Sequence, residues 1–445
     1  MALSTRSEDL QDGTSRPVLL EDMQQVAASF NLKASLENLP PEVRRQILSA
    51  SCFDSLNALV HASPVYHQQY LLDRWHILCD SLKLTLGSVF VDAYTAFKCG
   101  QVDFLKTRSS ESVTRILEGF AERRLFEPVG SSRPLAIDEI VGMLSFHRSI
   151  IIPVARRYTT WALDNLLKES ASPQTSHEPL SRSEETRVFR ALYRLQLFCN
   201  LFGENHHEPL FHPRLTFGWG EVLEVFIFLF EPWEVEELHC VYTFAKATYD
   251  RIFDKIAWDV DEKNPKFDGQ RPPTPDGAFD LSSSRISFLE GTTSCGLHLL
   301  HTVLFRMKDH NHLVQTMQNN ISLGNYQLEE YILRESTQYW QRDERLSERD
   351  VQQERRDPLP FRGDRVPDPD SAAADLYPPL AWTILWKGTY SNLYAYYFQE
   401  ELKEWGYVMW DASRLASTGA EEVLRRQWAV YWEEDEDPRD EGMLL

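Results

Sequence analysis

Cys295, His298 and His301 stand three residues apart, and His310 and His312 follow closely. Residues at i and i+3 of a helix are neighbours on its surface, so a thiol and two imidazoles could meet there, as zinc ligands do. A zinc site, however, needs four well-placed ligands and an outer layer of groups that orient them. The run carrying two of the histidines, LHLLHTVLF (297–305), is strongly apolar. It reads as a buried helix whose histidines are satisfied inside the core. His206-His207 lies in the polar stretch NLFGENHHEPLFHP, where adjacent side chains splay apart. The six cysteines (52, 79, 99, 199, 240 and 295) are scattered and form no CxxC pair. No metal and no cofactor is therefore expected, and elemental analysis should find less than one zinc per chain.

Catalytic signatures are missing as well. The chain has no GxxxxGK[ST] phosphate loop, no GxSxG elbow, no HExxH pair and no GxGxxG turn. Carboxylates are plentiful, but nothing in their spacing sets two of them across a cleft. The expectation is a protein that is not an enzyme, although triads built from distant residues leave no local signature. Trp382, Trp386, Tyr390, Tyr394 and Tyr397 recur at helical intervals. Such a stripe reads as a helix packed into a core; the alternative is a pocket for a ligand or peptide. The tail EEDEDPRDE (433–441) should stay solvated, with a basic partner as its alternative reading.

The elements that carry these residues are helical. Pro40 and Pro41 suit a first helical turn, where no N–H partner is lost, and Glu42 sits at the positive end of the helix dipole. Val43, Ile47 and Leu48 share one face, leaving Arg44, Arg45 and Gln46 for solvent. Asp54 or Ser55 can cap a second helix bearing Leu56, Leu59 and Val60. Ser63-Pro64 ends it and starts a third, where Leu71, Trp75, Leu78, Leu82 and Leu86 fall on one stripe before Gly87. That stripe predicts a buried seam. Two short amphipathic helices cannot hide both apolar faces between themselves; they need the rest of the chain or a partner.

Residues 35–70, SLENLPPEVRRQILSASCFDSLNALVHASPVYHQQY, resemble an F-box, of the F-box-like type found in uncharacterised proteins of filamentous fungi. Leu39-Pro40, Glu42-Val43, Ile47-Leu48, Leu56 and Leu59-Val60 stand where that pattern has its leucine-proline entry and its two leucine-rich helices, and Tyr66 stands near its usual aromatic. Ser51 and Pro64 depart from the pattern. The resemblance implies that Leu39, Pro40, Glu42, Val43, Ile47, Leu48, Leu56, Leu59 and Val60 contact the Skp-type adaptor of a cullin–RING ubiquitin ligase. It covers about a tenth of the chain and names no substrate. YPPLAWTILWKGTYSNLY and ELKEWGYVMWDASRL are also similar to segments of such proteins, which implies kinship without an activity.

Composition bounds the other possibilities. The 445 residues are 42% hydrophobic and 12% aromatic, enough for one large core or two modest ones. The net charge of −21 disfavours nucleic acid and anionic membrane surfaces. No apolar run reaches the ~18 residues of a membrane span, and the polar first residues are no signal peptide. Reduced cysteines without such a leader point to the cytoplasm or nucleus.

The expected fold is mostly α, an F-box-like helical module followed by an irregular multi-helix body. The divisions are a largely disordered 1–34, the module at 35–100 and a body at 101–357. A linker at 358–375, an aromatic-rich helical module at 376–432 packed on the body and an acidic tail at 433–445 complete it. Residues 1–17, 169–185, 259–284, 358–372 and 433–445 carry too little apolar area to offset ordering entropy, so proteases should cut there first. A helical pair over Ile137–Leu167 should break near Pro153. Residues 291–320 and 323–345 should form two long helices, and the apolar Val222–Phe230 is a strand or part of a helix. The expected function is protein interaction, in the terms of the resemblance a ligase subunit that recruits an unknown protein substrate. The alternatives are a helical binding or structural protein whose F-box-like segment belongs to its core, and an enzyme or small-molecule binder using the aromatic C-terminal region.

Overall fold

Helix-compatible spacing becomes helix almost throughout a computed structural model of the chain, which describes residues 36–126, 135–170, 178–203, 215–270, 275, 277–324, 326–337, 348–365, 377–433 and 437–439. The fold is mostly α, as expected. Among the described residues the β pairing is an isolated antiparallel bridge between Pro358 and Thr389. The expectations for 1–34 and for His206-His207 lie outside the described residues. The chain divides into two compact units, Met1–Leu84 and Thr85–Leu445.

In the first unit, α1 (Pro41–Ser49), α2 (Phe53–Ala62) and α3 (Pro64–Leu86, its last turn in the second unit) follow a 3-10 turn at Leu36–Asn38. Pro41 opens α1, and Cys52, rather than Asp54 or Ser55, precedes α2. Ser63 begins α3 as expected: its hydroxyl accepts from the Tyr66 N–H and donates to Glu37. Arg44 is not left to solvent; its guanidinium donates to the carbonyls of Glu37 (2.9 Å) and Leu39 (3.1 Å). The buried Tyr66 hydroxyl donates to the Leu36 carbonyl. These bonds tie the chain entry to two helices.

The expected seam on α3 is broken. Asp73 leaves helical geometry (φ −113°, ψ 20°), where it accepts a 2.7 Å bond from Gln69 and lies 3.6 Å from Arg45. The kink rotates the helix face. Leu78, Leu82 and Leu86 after it are buried, Trp75 is half-buried, and Leu71 before it is 57% exposed. Neighbouring Leu72 is 76% exposed.

In the second unit, α4 (Phe90–Cys99), α5 (Ser110–Phe126), α6 (Ile137–Phe146) and α7 (Ile152–Glu169) surround α8 (Arg182–Phe202) and α9 (Pro232–Val260). The junction of α6 and α7 does not break. A π-type turn over His147–Ile151 carries the helix into Pro153, whose ring nitrogen cannot donate to the carbonyl one turn earlier. Val222–Phe230 is helical, as a short helix followed by a 3-10 turn. The expected 291–320 helix is split into α10 (Arg285–Thr293), α11 (Leu297–Phe305) and a further helix at His310–Gln318. Gly296 makes the first break: its φ of +86° is closed to other residues, and a Cβ there would press on Gln196. Of 323–345, Leu328–Ser336 is π-helical and 338–347 lie outside the described residues.

α8 is buried on nearly every side, yet it carries Glu184, Arg187, Arg190 and Arg194 into the interior. Each finds its counterpart. Arg190 makes a two-pronged contact with Glu237 (2.9 and 2.6 Å). Arg194 donates to Asp92 (2.7 Å) and Glu234 (2.8 Å) and lies 4.2 Å from the centre of the Phe230 ring. Arg124 from α5 completes the set on Glu234 at 2.9 Å. Towards the start of α8, Arg187 joins Asp411 (2.9 Å) and Asp364 (2.8 Å), and Arg414 clasps Glu184. Phe189 on the same helix is only half-buried.

Several stretches expected to be loose are packed. Ser181 and Glu184 cap the start of α8 reciprocally, and Ser183 donates to Asp411, which fixes 181–185. Phe267 and Leu281 are buried and the Phe279 N–H reaches the Val260 carbonyl, so the described part of 259–284 is docked. Residues 358–365 are held by Leu359 N–H to the Gly388 carbonyl and by Asp364 on Arg187. In the tail, Asp437 accepts from the Trp428 indole at 3.2 Å and pairs with Arg439.

Two stability predictions follow from these contacts. Leu82→Ala should cost about 2–5 kcal/mol, while Leu71→Ser should stay within about 0.5 kcal/mol; urea denaturation of both compares the two faces of the kinked helix. Arg194→Met should cost about 3–5 kcal/mol by leaving Asp92 and Glu234 short of a counter-charge. An unchanged midpoint for that variant would show that the buried pairing is dispensable.

Candidate functional site

The resemblance places its adaptor residues on the first unit, and their exposure divides them. Pro40 and Glu42 are exposed and Val43 is 36% exposed; Leu39, Ile47 and Leu59 are partly exposed. Leu48, Leu56 (2% exposed) and Val60 are buried. Helix geometry accounts for the split. Leu48 follows Ile47 by about 100°, and Leu56 and Val60 are one turn apart on α2, so one side of each helix faces inward. The outward residues combine a rigid Pro-Pro entry, a carboxylate at a helix start and a few aliphatic side chains. That arrangement can seat an apolar partner surface with little ordering cost.

The second unit holds a sealed ionic system that by residue type resembles catalytic machinery. His239, Glu236, Glu290 and Lys403 are all buried. Lys403 donates to the Ala395 carbonyl (3.2 Å), and Glu236 accepts from the Ala395 N–H (2.6 Å) and the Tyr407 hydroxyl (3.2 Å). Lys246 bonds Glu329 (2.6 Å), which lies 3.6 Å from the His239 imidazole. Glu290 accepts the backbone N–H groups of Glu329 and Glu330, capping the π-helical segment from outside. Burial, reinforced by the neighbouring Glu329, pushes the Glu290 carboxyl up to about 7. Burial lowers the Lys403 and His239 values. Perturbed groups often mark active sites, but structural ion networks perturb them equally. These carboxylates and cations bind one another and backbone N–H groups, which makes them joints between helices.

The other sequence candidates are dispersed. Cys295 lies just before Gly296; His298 is exposed on α11, not satisfied in the core as expected, and the buried His301 ring tilts against Phe305. His310 sits elsewhere, 2.9 Å from Asp259, and the His312 Nδ1 accepts from the Lys308 N–H. Among the described residues no group of three or more His, Cys, Asp or Glu is arranged to hold a metal ion. Nor is any helix of the described residues long and apolar enough to cross a membrane.

The aromatic stripe is not one helix. Only Trp382 lies in the helix Leu380–Leu385; Tyr390 and Tyr394 are in irregular chain beyond it. Trp382, Trp386, Phe398 and Trp428 pack ring against ring at 5.4–6.1 Å, and Trp382 and Trp386 are buried. The cluster is core, as the spacing suggested, but it is assembled by turns rather than by a helical face.

One cavity of about 470 Å³ opens between α4, α6, α8 and the start of α11. Gln196, Asn200, Cys295 and His298 are among its lining residues. No residue pattern announced it, because its walls come from four distant stretches. Gly100 and Gly142 are among its wall residues, and the Phe97 ring lies against Gly142. No family model, curated protein or solved structure matches the chain.

The Glu290 geometry sets a pH dependence. A carboxyl that is harder to ionise when folded holds its proton longer than in the unfolded chain. Its contribution to stability is full below about 4.5 and is lost as pH rises through about 7. Glu290→Gln keeps an acceptor for the two N–H groups but cannot ionise. Relative to wild type, the variant should gain stability between about pH 5 and 8 in urea titrations. Parallel curves would show that Glu290 is ionised throughout.

Proposed function

We propose that the chain is a protein-interaction protein whose first unit docks on a Skp-type adaptor, making it a substrate-recruiting subunit of a cullin–RING ligase. The observation that carries this reading is the outward set on α1 and α2. Pro40, Glu42 and Val43 are exposed and Ile47 and Leu59 partly so, on helices whose opposite sides are already buried. Exposed aliphatic residues next to a fixed Pro-Pro turn are what a docking surface requires, since a few apolar anchors usually carry most of an interface's affinity.

The burial of Leu48, Leu56 and Val60 supports the competing reading, in which the segment serves its own core and no ligase is involved. On the adaptor reading those three shape the module and do not themselves contact the partner.

Co-purification with the adaptor separates the two. Wild-type protein should capture it at micromolar concentration. Pro40→Ala combined with Ile47→Asp should abolish capture, and so should the exposed Val43→Asp, which threatens the fold less. Far-UV circular dichroism of each variant should match wild type. Absence of capture by folded wild-type protein would leave the core reading in possession.

A further inference from the structure

The cavity of about 470 Å³ lies wholly in the second unit and is untouched by the docking reading. Its volume falls within the range of about 300–1,000 Å³ usual for small-molecule sites. Three features define what it can hold.

The first is charge. None of its lining side chains is Lys, Arg, Asp or Glu, in a protein where a quarter of all residues are charged. The one titratable ring is His298, and partial desolvation at the cavity wall lowers its value, which disfavours the imidazolium. A charged ligand would lose its water and find no counter-charge.

The second feature is the wall. Phe97 and Phe146 present aromatic surface, and Phe146 tilts against the His298 ring with centroids 5.3 Å apart. Gly142 lets the Phe97 ring lie directly on the α6 backbone; a Cβ there would come within 2.6 Å of it.

The third is a fixed polar strip. Gln196 donates to Asn200 (2.7 Å) and accepts from the Leu297 N–H (2.8 Å), while Asn200 donates to the Ala96 carbonyl (2.8 Å). Both amides are thereby locked in orientation. Each amide nitrogen keeps a second hydrogen beyond those bonds. Among the described residues the His298 ring nitrogens have no hydrogen-bond partner.

We infer that this cavity is a binding site for an uncharged aromatic small molecule carrying a hydrogen-bonding group, stacked against Phe97 and Phe146 and oriented by Gln196, Asn200 and His298. The site reads polarity through neutral groups only, so it selects against ionised relatives of the same ring system.

Two dyes of matched shape test this. The neutral probe N-phenyl-1-naphthylamine should bind saturably, one per chain, with a fluorescence gain. Its sulfonated relative 1-anilinonaphthalene-8-sulfonate should bind at least about tenfold more weakly because its charge goes unpaired. Ser145 and Ser149 are exposed at the cavity. Ser145→Trp or Ser149→Trp should fill it and weaken the neutral dye by about tenfold or more, at an unchanged melting temperature. Equal affinity for the two dyes, binding that does not saturate, or full binding by both tryptophan variants would overturn the assignment.

Discussion

The second unit is organised around charge buried between two helices. Taking an arginine or glutamate out of water costs several kcal/mol, and only close counter-charges with well-formed hydrogen bonds recover it. α8 and α9 meet that demand at Arg190–Glu237 and Arg194–Glu234, with Asp92 from α4 and Arg124 from α5 closing the set. The pairing dictates register. A shift of one residue along either helix would strand a guanidinium against aliphatic neighbours, so the helices can meet in one way. Such networks add less to stability than apolar packing of the same volume would, but breaking one partner is expensive.

The same logic extends to the C-terminal part of the chain. Asp364, Asp411 and Arg414 reach back to Arg187 and Glu184 at the start of α8. Stretches more than 170 residues apart in sequence are therefore clamped to the same helix turn. This is why residues 181–185 and 358–365, which look like linkers by composition, are packed. A few of their polar residues, Ser181, Ser183 and Asp364, supply the caps and counter-ions at the start of the central helix. Aromatic packing around Trp382, Phe398 and Trp428 adds apolar burial to that clamp.

The two regions suited to binding follow opposite designs. On the first unit, function would rest on what helices leave outside: a rigid Pro-Pro entry and scattered aliphatic side chains. In the second, the cavity is defined by what the surrounding helices keep out, because the formal charges of α8 are consumed in its ion pairs and none of them lines the cavity. Gln196 and Asn200 lie on the same helix as Arg190 and Arg194 but further along, where neutral amides replace the guanidinium groups. One helix thus sorts its polar residues by position, with ions in the sealed core and amides at the open cavity.

The sequence by itself determined the helical class, the three helices of the first unit and the starts at Pro41 and Pro64, because period, proline and capping act within a few residues. It also marked the tryptophan cluster as core, but not the place of His298, which is exposed at the cavity instead of satisfied inside the core. It could not place the kink at Asp73, which turned Leu71 outwards and broke the expected seam; that depends on contacts from Gln69 and Arg45. Nor could it tell that the arginines of α8 face inward, since a periodic charge on a helix reads as a solvated face unless the partners are known. Those partners, Asp92, Glu234, Glu237, Asp364 and Asp411, lie 40 to 224 residues away along the sequence. The cavity is likewise a property of four stretches brought together. Local structure obeys short-range sterics and capping that a sequence displays, while buried ion pairs and cavities exist only once distant residues share one low-dielectric interior.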